Sequence, residues 1–124
     1  MTTDEPATSE PVRRALIAYN QEQLGCAQSV LRGFQLLCGI AEEQVIQAKA
    51  LGGGRAKDGR CGALHAALHL AAESPKAGEM AAAFATKAGS EHCREIRALK
   101  KVICAQCVEL AATLLDQHRD KSAN

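Results

Sequence analysis

One stretch near the carboxyl end decides the fold class: Glu91-His-Cys-Arg-Glu-Ile-Arg-Ala-Leu-Lys-Lys-Val-Ile-Cys-Ala-Gln-Cys-Val-Glu-Leu-Ala-Ala-Thr-Leu-Leu-Asp-Gln-His118. It contains neither glycine nor proline, the residues that most often end a helix. Its apolar side chains recur at the three- or four-residue spacing of one helix face, at Leu99, Ile103, Cys107, Leu110 and Leu114. The stretch is therefore predicted to form a single long helix.

Glycines and prolines divide the rest of the chain into shorter predicted helices. Pro11 is placed to open the first one, with Ser9 as its cap. Further helices are predicted over residues 26–37, 42–51, 61–72 and 78–88, and no segment shows the period-two alternation of a strand. We therefore predict an all-α protein, a compact single-domain helical bundle of five to six helices.

The 124 residues suffice for one domain. Residues 1–10 lack an apolar pattern and are predicted to be a disordered N-terminal tail. Residues 11–118 would form the helical domain that carries the cysteines, and residues 119–124 a C-terminal tail. Aromatic residues make up only 2% of the chain, so alanine and aliphatic side chains must build the core.

Charge and hydropathy exclude several kinds of partner. The formal net charge is only +1 and aromatics are few, which argues against a nucleic-acid partner. The polar, acidic N-terminus does not resemble a secretory signal, and no apolar run approaches a membrane span. The glycines at residues 52–54 are not followed by the Lys-Ser/Thr of a phosphate loop. We expect a cytoplasmic protein with no membrane association.

Six cysteines are many for a chain of this length. In a reducing compartment such a set more often indicates metal binding or redox chemistry than structural cross-links, although a buried thiol also serves as a small apolar side chain. Cys26 and Cys107 lie on apolar helix stripes, and Cys61 shares a face with Leu64 and Leu68. Three predicted helices therefore direct sulfur atoms towards the core.

Two local patterns add candidate ligands. Cys104 and Cys107 form a C-x-x-C, which on a helix places both thiols on one side for disulfide exchange or metal ligation. His65 and His69 follow Cys61 at intervals of four, so that a thiol and two imidazoles form a candidate metal face.

Cys61 is the candidate for a reactive thiolate. It stands at the predicted start of a helix, where the helix dipole lowers the pKa of a thiol. Arg60 immediately before it adds a positive charge.

Several short motifs occur in a characteristic order. Tyr19 is followed by Cys26-Ala-Gln-Ser-Val-Leu31, Gly52-Gly-Gly54, Cys61-Gly-Ala63, Gly89-Ser-Glu-His-Cys-Arg-Glu95 and Cys107-Val-Glu-Leu-Ala-Ala112. This order resembles the redox-associated family named for its C_GCAxxG_C_C pattern, over roughly residues 19–115. The C-G-A-x-x-G motif departs from the family at its last position, where Ala66 replaces glycine.

The resemblance implies a helical redox domain with four characteristic cysteines, which here are Cys26, Cys61, Cys93 and Cys107. It admits an iron–sulfur cluster or another thiophilic metal as well as a disulfide. In one straight helix, however, Cys93 and Cys107 would lie about 21 Å apart, too far to share a centre. Either the chain turns near residues 98–101, or Cys104 takes the place of Cys93.

Three classes of function remain. The favoured one is electron transfer through a buried cysteine cluster, as dithiol and disulfide or as a metal centre, with a redox partner protein that the sequence does not identify. The second is metal handling by Cys with His65 or His69. The third is an alkylhydroperoxidase-like C-x-x-C enzyme, in which a histidine is expected where Ala111 stands. Clustered thiolates repel one another, so raised thiol pKa values are expected in a reduced cluster.

Overall fold

The computed structural model describes residues 9–51, 59–71 and 76–123, and beyond residue 117 it describes the backbone alone. Within these ranges the chain forms eight α-helices and no strand, which confirms the all-α class. The helices are Glu10–Asn20 (α1), Cys26–Gly33 (α2), Gln35–Cys38 (α3), Glu42–Gln47 (α4), Gly62–Leu70 (α5), Ala77–Ala88 (α6), Cys93–Leu99 (α7) and Cys104–Ala123 (α8). None of these described helices combines the length and the apolar character that crossing a bilayer requires.

The count of five to six helices was wrong because two predicted helices are each broken in two. The helix predicted over residues 26–37 is interrupted at Phe34, whose φ of −102° and ψ of 9° are not helical. Phe34 is fully buried, so its packing fixes this bend. The short α3 then ends at Gly39, which adopts a left-handed conformation.

The second break lies in the stretch that was predicted to be one long helix. Lys100 has a left-handed φ of 58° and ends α7, its N–H donating to the carbonyl of Ile96. The side chain of Gln106 then accepts a hydrogen bond from the N–H of Ile103 at 2.8 Å and so caps the start of α8. Leu99 and Ile103 are 51% and 66% exposed, so the predicted five-residue apolar stripe does not form one buried face.

Other predicted boundaries shift slightly. The first helix begins at Glu10, and Ser9 holds the N-cap position without a side-chain capping bond. The helix predicted over residues 42–51 becomes α4 followed by a 3-10 turn, Ala48–Leu51. The last helix continues past the predicted tail boundary, to Ala123. The tail residues 1–8, residues 52–58 of the predicted glycine loop and residue 124 lie outside the described residues.

Small side chains allow the central helices to pack closely. Helices α1, α2, α5 and α8 pack against one another, and α6 packs on α5 and α8. Many of the fully buried positions are alanines, with Phe34, Phe84, Leu64 and Met80 as the largest fully buried side chains. At Gly33 a Cβ would lie 2.5 Å from the carbonyl oxygen of Pro11, so α1 and α2 approach too closely there for any side chain.

The left-handed Lys100 generates a prediction about stability. A residue with a Cβ pays a conformational cost in this region that glycine does not, so Lys100→Gly should raise the free energy of unfolding by about 1 kcal/mol. Urea denaturation measures the change. Lys101→Gly is the matched control, because φ at Lys101 is not positive. There glycine only adds freedom to the unfolded chain and should lower stability by about 0.5 kcal/mol. Equal effects at both positions would contradict the turn.

Candidate thiol site

Five of the six cysteines line one pocket of about 430 Å³. They are the four that the family resemblance singled out, Cys26, Cys61, Cys93 and Cys107, together with Cys104. The reversal of the chain at Lys100 permits this arrangement, because it brings the starts of α7 and α8 to the same place. The alternative that the chain turns near residues 98–101 is thus confirmed, and Cys104 lines the pocket in addition to Cys93. Cys38 is exposed and does not line the pocket.

Each of the four helices around the pocket begins at a cysteine. Cys26 is the first residue of α2, Cys93 of α7 and Cys104 of α8, and Cys61 is the N-cap of α5. Cys107 lies one turn into α8. The amino-terminal end of a helix carries a partial positive charge, so this arrangement favours negative charge on the sulfur atoms.

Backbone pairing holds the starts of α5 and α7 side by side. The N–H of Cys61 donates to the carbonyl of Glu91 at 2.7 Å, and Arg60 pairs with His92 in an isolated antiparallel bridge. The guanidinium of Arg60 also forms an ion pair with Glu91 at 3.3 Å. The segment before Cys61 and the segment before Cys93 are thus fixed to each other, which sets the positions of both cysteines.

Gly62 lets α5 approach the start of α2. A Cβ at Gly62 would lie 2.7 Å from Sγ of Cys26 and 2.9 Å from the carbonyl oxygen of Leu51. The glycine of Cys61-Gly-Ala63 is therefore required by this close contact. The methyl group of Ala66, where the family pattern has a second glycine, is accommodated within the core.

Cys61 and Cys107 form the central pair of the site. Both are buried, with 5% and 3% of their surface exposed. The hydrogen bond between the two side chains holds the pKa of Cys107 below its usual value, because Cys61 keeps its proton and donates it to the Cys107 sulfur. The same hydrogen bond, followed by burial, raises the pKa of Cys61. The hydrogen bond thus favours negative charge on the Cys107 sulfur, and the two thiols titrate as a coupled pair.

That Cys61 is the reactive thiolate stays a prediction, and the raised pKa of Cys61 disfavours it. Cys61 does lie at a helix start, and the N–H groups of Leu64 and Ala63 favour its ionised form. Its hydrogen bond to Cys107 and its burial outweigh them. Arg60, which was expected to help, is instead paired with Glu91.

The neighbouring thiols Cys26 and Cys93 also have raised pKa values, and burial is the largest cause for both. Burial, and then the charge of Cys61, raises the pKa of Cys26. Burial also raises the pKa of Cys93, although the nearby positive charge of Arg97 opposes it. These thiols are therefore protonated at neutral pH, which limits the repulsion around Cys107.

Tyr19 is a neighbour whose contact the sequence did not reveal. Burial, and then the charge and hydrogen bond of Cys104, raises the pKa of the Tyr19 hydroxyl. The hydroxyl therefore lies beside the Cys104 thiol, at the start of α8. Tyr19 belonged to the motif order that carried the family resemblance, but nothing in its spacing indicated this contact.

His65 and His69 do not share the cysteine pocket. They line a second pocket of about 300 Å³, together with Gln44 and Gln47. The candidate metal face of Cys61 with both histidines is thus divided between two pockets. Among the residues that the structure describes, no group of three or more Cys, His, Asp or Glu side chains is placed to hold a metal ion.

The contact at Gly62 generates a prediction. Gly62→Ala should lower the free energy of unfolding by about 1–3 kcal/mol, because the new methyl group overlaps the Cys26 sulfur and a backbone oxygen. Chemical denaturation of Gly62→Ala, Cys26→Ala and the double variant measures the coupling. The cost should be smaller in the Cys26→Ala background, where one of the two overlaps is gone.

A matched glycine tests this interpretation. A Cβ at Gly78 in α6 would meet nothing within 4 Å, so Gly78→Ala should be neutral or stabilising. If Gly62→Ala were as well tolerated as Gly78→Ala, the close approach of α5 to Cys26 would be wrong.

The hydrogen bond between Cys61 and Cys107 generates a second prediction. The pKa of Cys107 should rise in Cys61→Ala, which removes the donor, so alkylation of Cys107 by a small reagent should begin at higher pH. Peptide-resolved mass spectrometry across a pH series measures this. Cys61→Ser keeps a donor and should retain most of the lowered pKa, and Cys38→Ala should change nothing. If Cys61→Ala and Cys61→Ser gave the same pH profile, the bond would not be the cause.

Comparisons of the chain with protein-family models, with curated proteins and with solved structures found no match. The resemblance to the C_GCAxxG_C_C family therefore stays a prediction from short motifs in a characteristic order.

Proposed function

We propose that this is a redox-active protein in which Cys61 and Cys107 cycle between dithiol and disulfide. The observation that carries the proposal is the hydrogen-bonded pair of buried thiols in a pocket lined by five cysteines. Formation of the disulfide removes two electrons and two protons from the pair, so the protein would carry two electrons per cycle. The family resemblance and the expected cytoplasmic location agree with a redox role.

The two thiols have different roles in the proposed cycle: Cys107 is the nucleophile and Cys61 is the resolving thiol. Exchange begins with a thiolate, and the lowered pKa of Cys107 makes it the first thiolate to form. Cys61 is then the resolving thiol, which attacks the Cys107 sulfur and closes the disulfide.

A thiophilic metal or an iron–sulfur cluster is the second candidate. Five sulfur ligands around one pocket, at helix ends that favour negative charge, are the donor type that such centres prefer. The positions do not fit as they stand, because no described group of three ligands is close enough to hold an ion. The cysteines would have to move together, and we derive no step through such a centre.

Two other functions have weaker support. Metal handling by Cys with His65 or His69 is disfavoured by the division of these side chains between two pockets. An alkylhydroperoxidase-like reaction needs a histidine one turn after the C-x-x-C, and the residue there, Ala111, is a fully buried alanine.

Mild oxidation tests the dithiol cycle. Diamide treatment of protein purified under anaerobic conditions should remove two of the six thiols, and peptide mapping should find a disulfide between Cys61 and Cys107. Cys61→Ser and Cys107→Ser should each prevent it, whereas Cys38→Ser should not, because Cys38 lies outside the pocket. Retention of all six thiols until denaturation would contradict the proposal.

Cys26→Ser separates the two candidates. In the dithiol cycle Cys26 is a neighbour, so its replacement leaves the disulfide between Cys61 and Cys107 intact. Iron with inorganic sulfide in the anaerobic protein, lost in Cys26→Ser, would favour the cluster instead. Visible absorption and elemental analysis provide these measurements.

A further inference from the structure

The burial of Cys61 and Cys107 restricts what can exchange with them. Only 5% and 3% of their surface is exposed, so a disulfide on the surface of a folded protein cannot reach either sulfur. A small molecule that enters the pocket can. The volume of about 430 Å³ lies within the range of small-molecule sites, roughly 300–1,000 Å³.

The charges around the pocket are of one sign. Arg97 and Lys100 contribute to its lining and are exposed at its edge. Among the described residues that line the pocket none is acidic, and much of the remaining lining is apolar, with Ile96, Val102 and Ile103. The positive ends of α2, α5 and α8 also point to this region. The pocket is therefore suited to a molecule with an uncharged, sulfur-containing centre and anionic ends.

We propose that the pocket binds a small organic disulfide that carries carboxylates, and that this molecule is the oxidant of the dithiol pair. The inference rests on the proposed function, because it names the substrate class of the same site. Arg97 and Lys100 bind the carboxylates at the edge of the pocket, and the disulfide bond extends inward to Cys107.

The exchange balances in two steps. The Cys107 thiolate attacks one sulfur of the small disulfide, R–S–S–R, forming a mixed disulfide and releasing one thiolate, R–S⁻. Cys61 then loses its proton to the released thiolate and attacks the Cys107 sulfur, which forms the internal disulfide and releases the second R–S⁻. The protein loses two electrons and the small disulfide gains them. The reverse sequence uses two equivalents of the thiol as the reductant.

Three small disulfides of different charge test the substrate class. The reduced protein is mixed with dithiodipropionate, which is dianionic, with 2-hydroxyethyl disulfide, which is neutral, or with cystamine, which is dicationic. Each rate is divided by the rate of the same disulfide with the neutral thiol 3-mercapto-1,2-propanediol, to remove differences in intrinsic reactivity. The part of each reaction rate that depends on Cys107 is obtained by subtracting the rate measured with the Cys107→Ser variant.

The normalised rate should be at least about tenfold higher for the dianion than for the dication, and the preference should fall as salt is added. Arg97→Gln and Lys100→Gln should each reduce the preference, and together they should abolish most of it. Arg94→Gln is the matched control, because Arg94 is exposed on the same helix, α7, but does not line the pocket. It should retain most of the preference.

Two negative results have different meanings. If diamide forms the disulfide between Cys61 and Cys107 but the three small disulfides react at equal normalised rates, the substrate class is wrong and the dithiol cycle stands. If neither diamide nor any small disulfide oxidises the pair, the dithiol cycle is wrong and the substrate class is wrong with it. A preference that Arg97→Gln and Lys100→Gln leave unchanged also overturns the inference.

Discussion

The reversal of the chain between α7 and α8 is the constraint on which the thiol site depends. In a continuous helix Cys93 would lie about 21 Å from Cys107. The left-handed Lys100 ends one helix, and the side chain of Gln106 caps the next. Both helix starts, with their cysteines, then face the same pocket as Cys26 and Cys61. A local backbone conformation at one lysine thus determines how many sulfur atoms share a site.

The fold class could be predicted from the sequence, because glycine and proline positions and helical spacing are local signals. The break at Lys100 was reached only as one of two alternatives, from the need to bring Cys93 near Cys107, since left-handed helix ends usually carry glycine or asparagine and lysine favours helix interiors. The one local signal was Gln106, three residues after Ile103, the last residue before α8. The bend at Phe34 has a different origin, because burial of the aromatic ring fixes it and only the tertiary packing reveals it.

At the candidate site, too, local sequence patterns predicted some features, and others depend on contacts between distant parts of the chain. Helical spacing correctly directed Cys61 and Cys107 towards the core, where both are buried. It could not predict the hydrogen bond between Cys61 and Cys107, which joins residues far apart in the chain and shifts their pKa values in opposite directions. The dipole at a helix start favours the Cys61 thiolate, yet a neighbouring sulfur and the loss of solvent outweigh it. Assignments of reactive thiols from helix position alone are therefore incomplete wherever two cysteines meet.

The packing of α5 against α8 has a consequence for the proposed dithiol cycle. Ala63 and Ala67 on α5 and Ala111 and Ala112 on α8 are fully buried, and the two helices contact each other. A close-packed interface of this kind resists sliding or separation. Closing and opening a bond between Cys61 and Cys107 would then require rotation of two short side chains while both backbones stay in place. In the dithiol cycle proposed above, the oxidised and reduced forms would then share one scaffold.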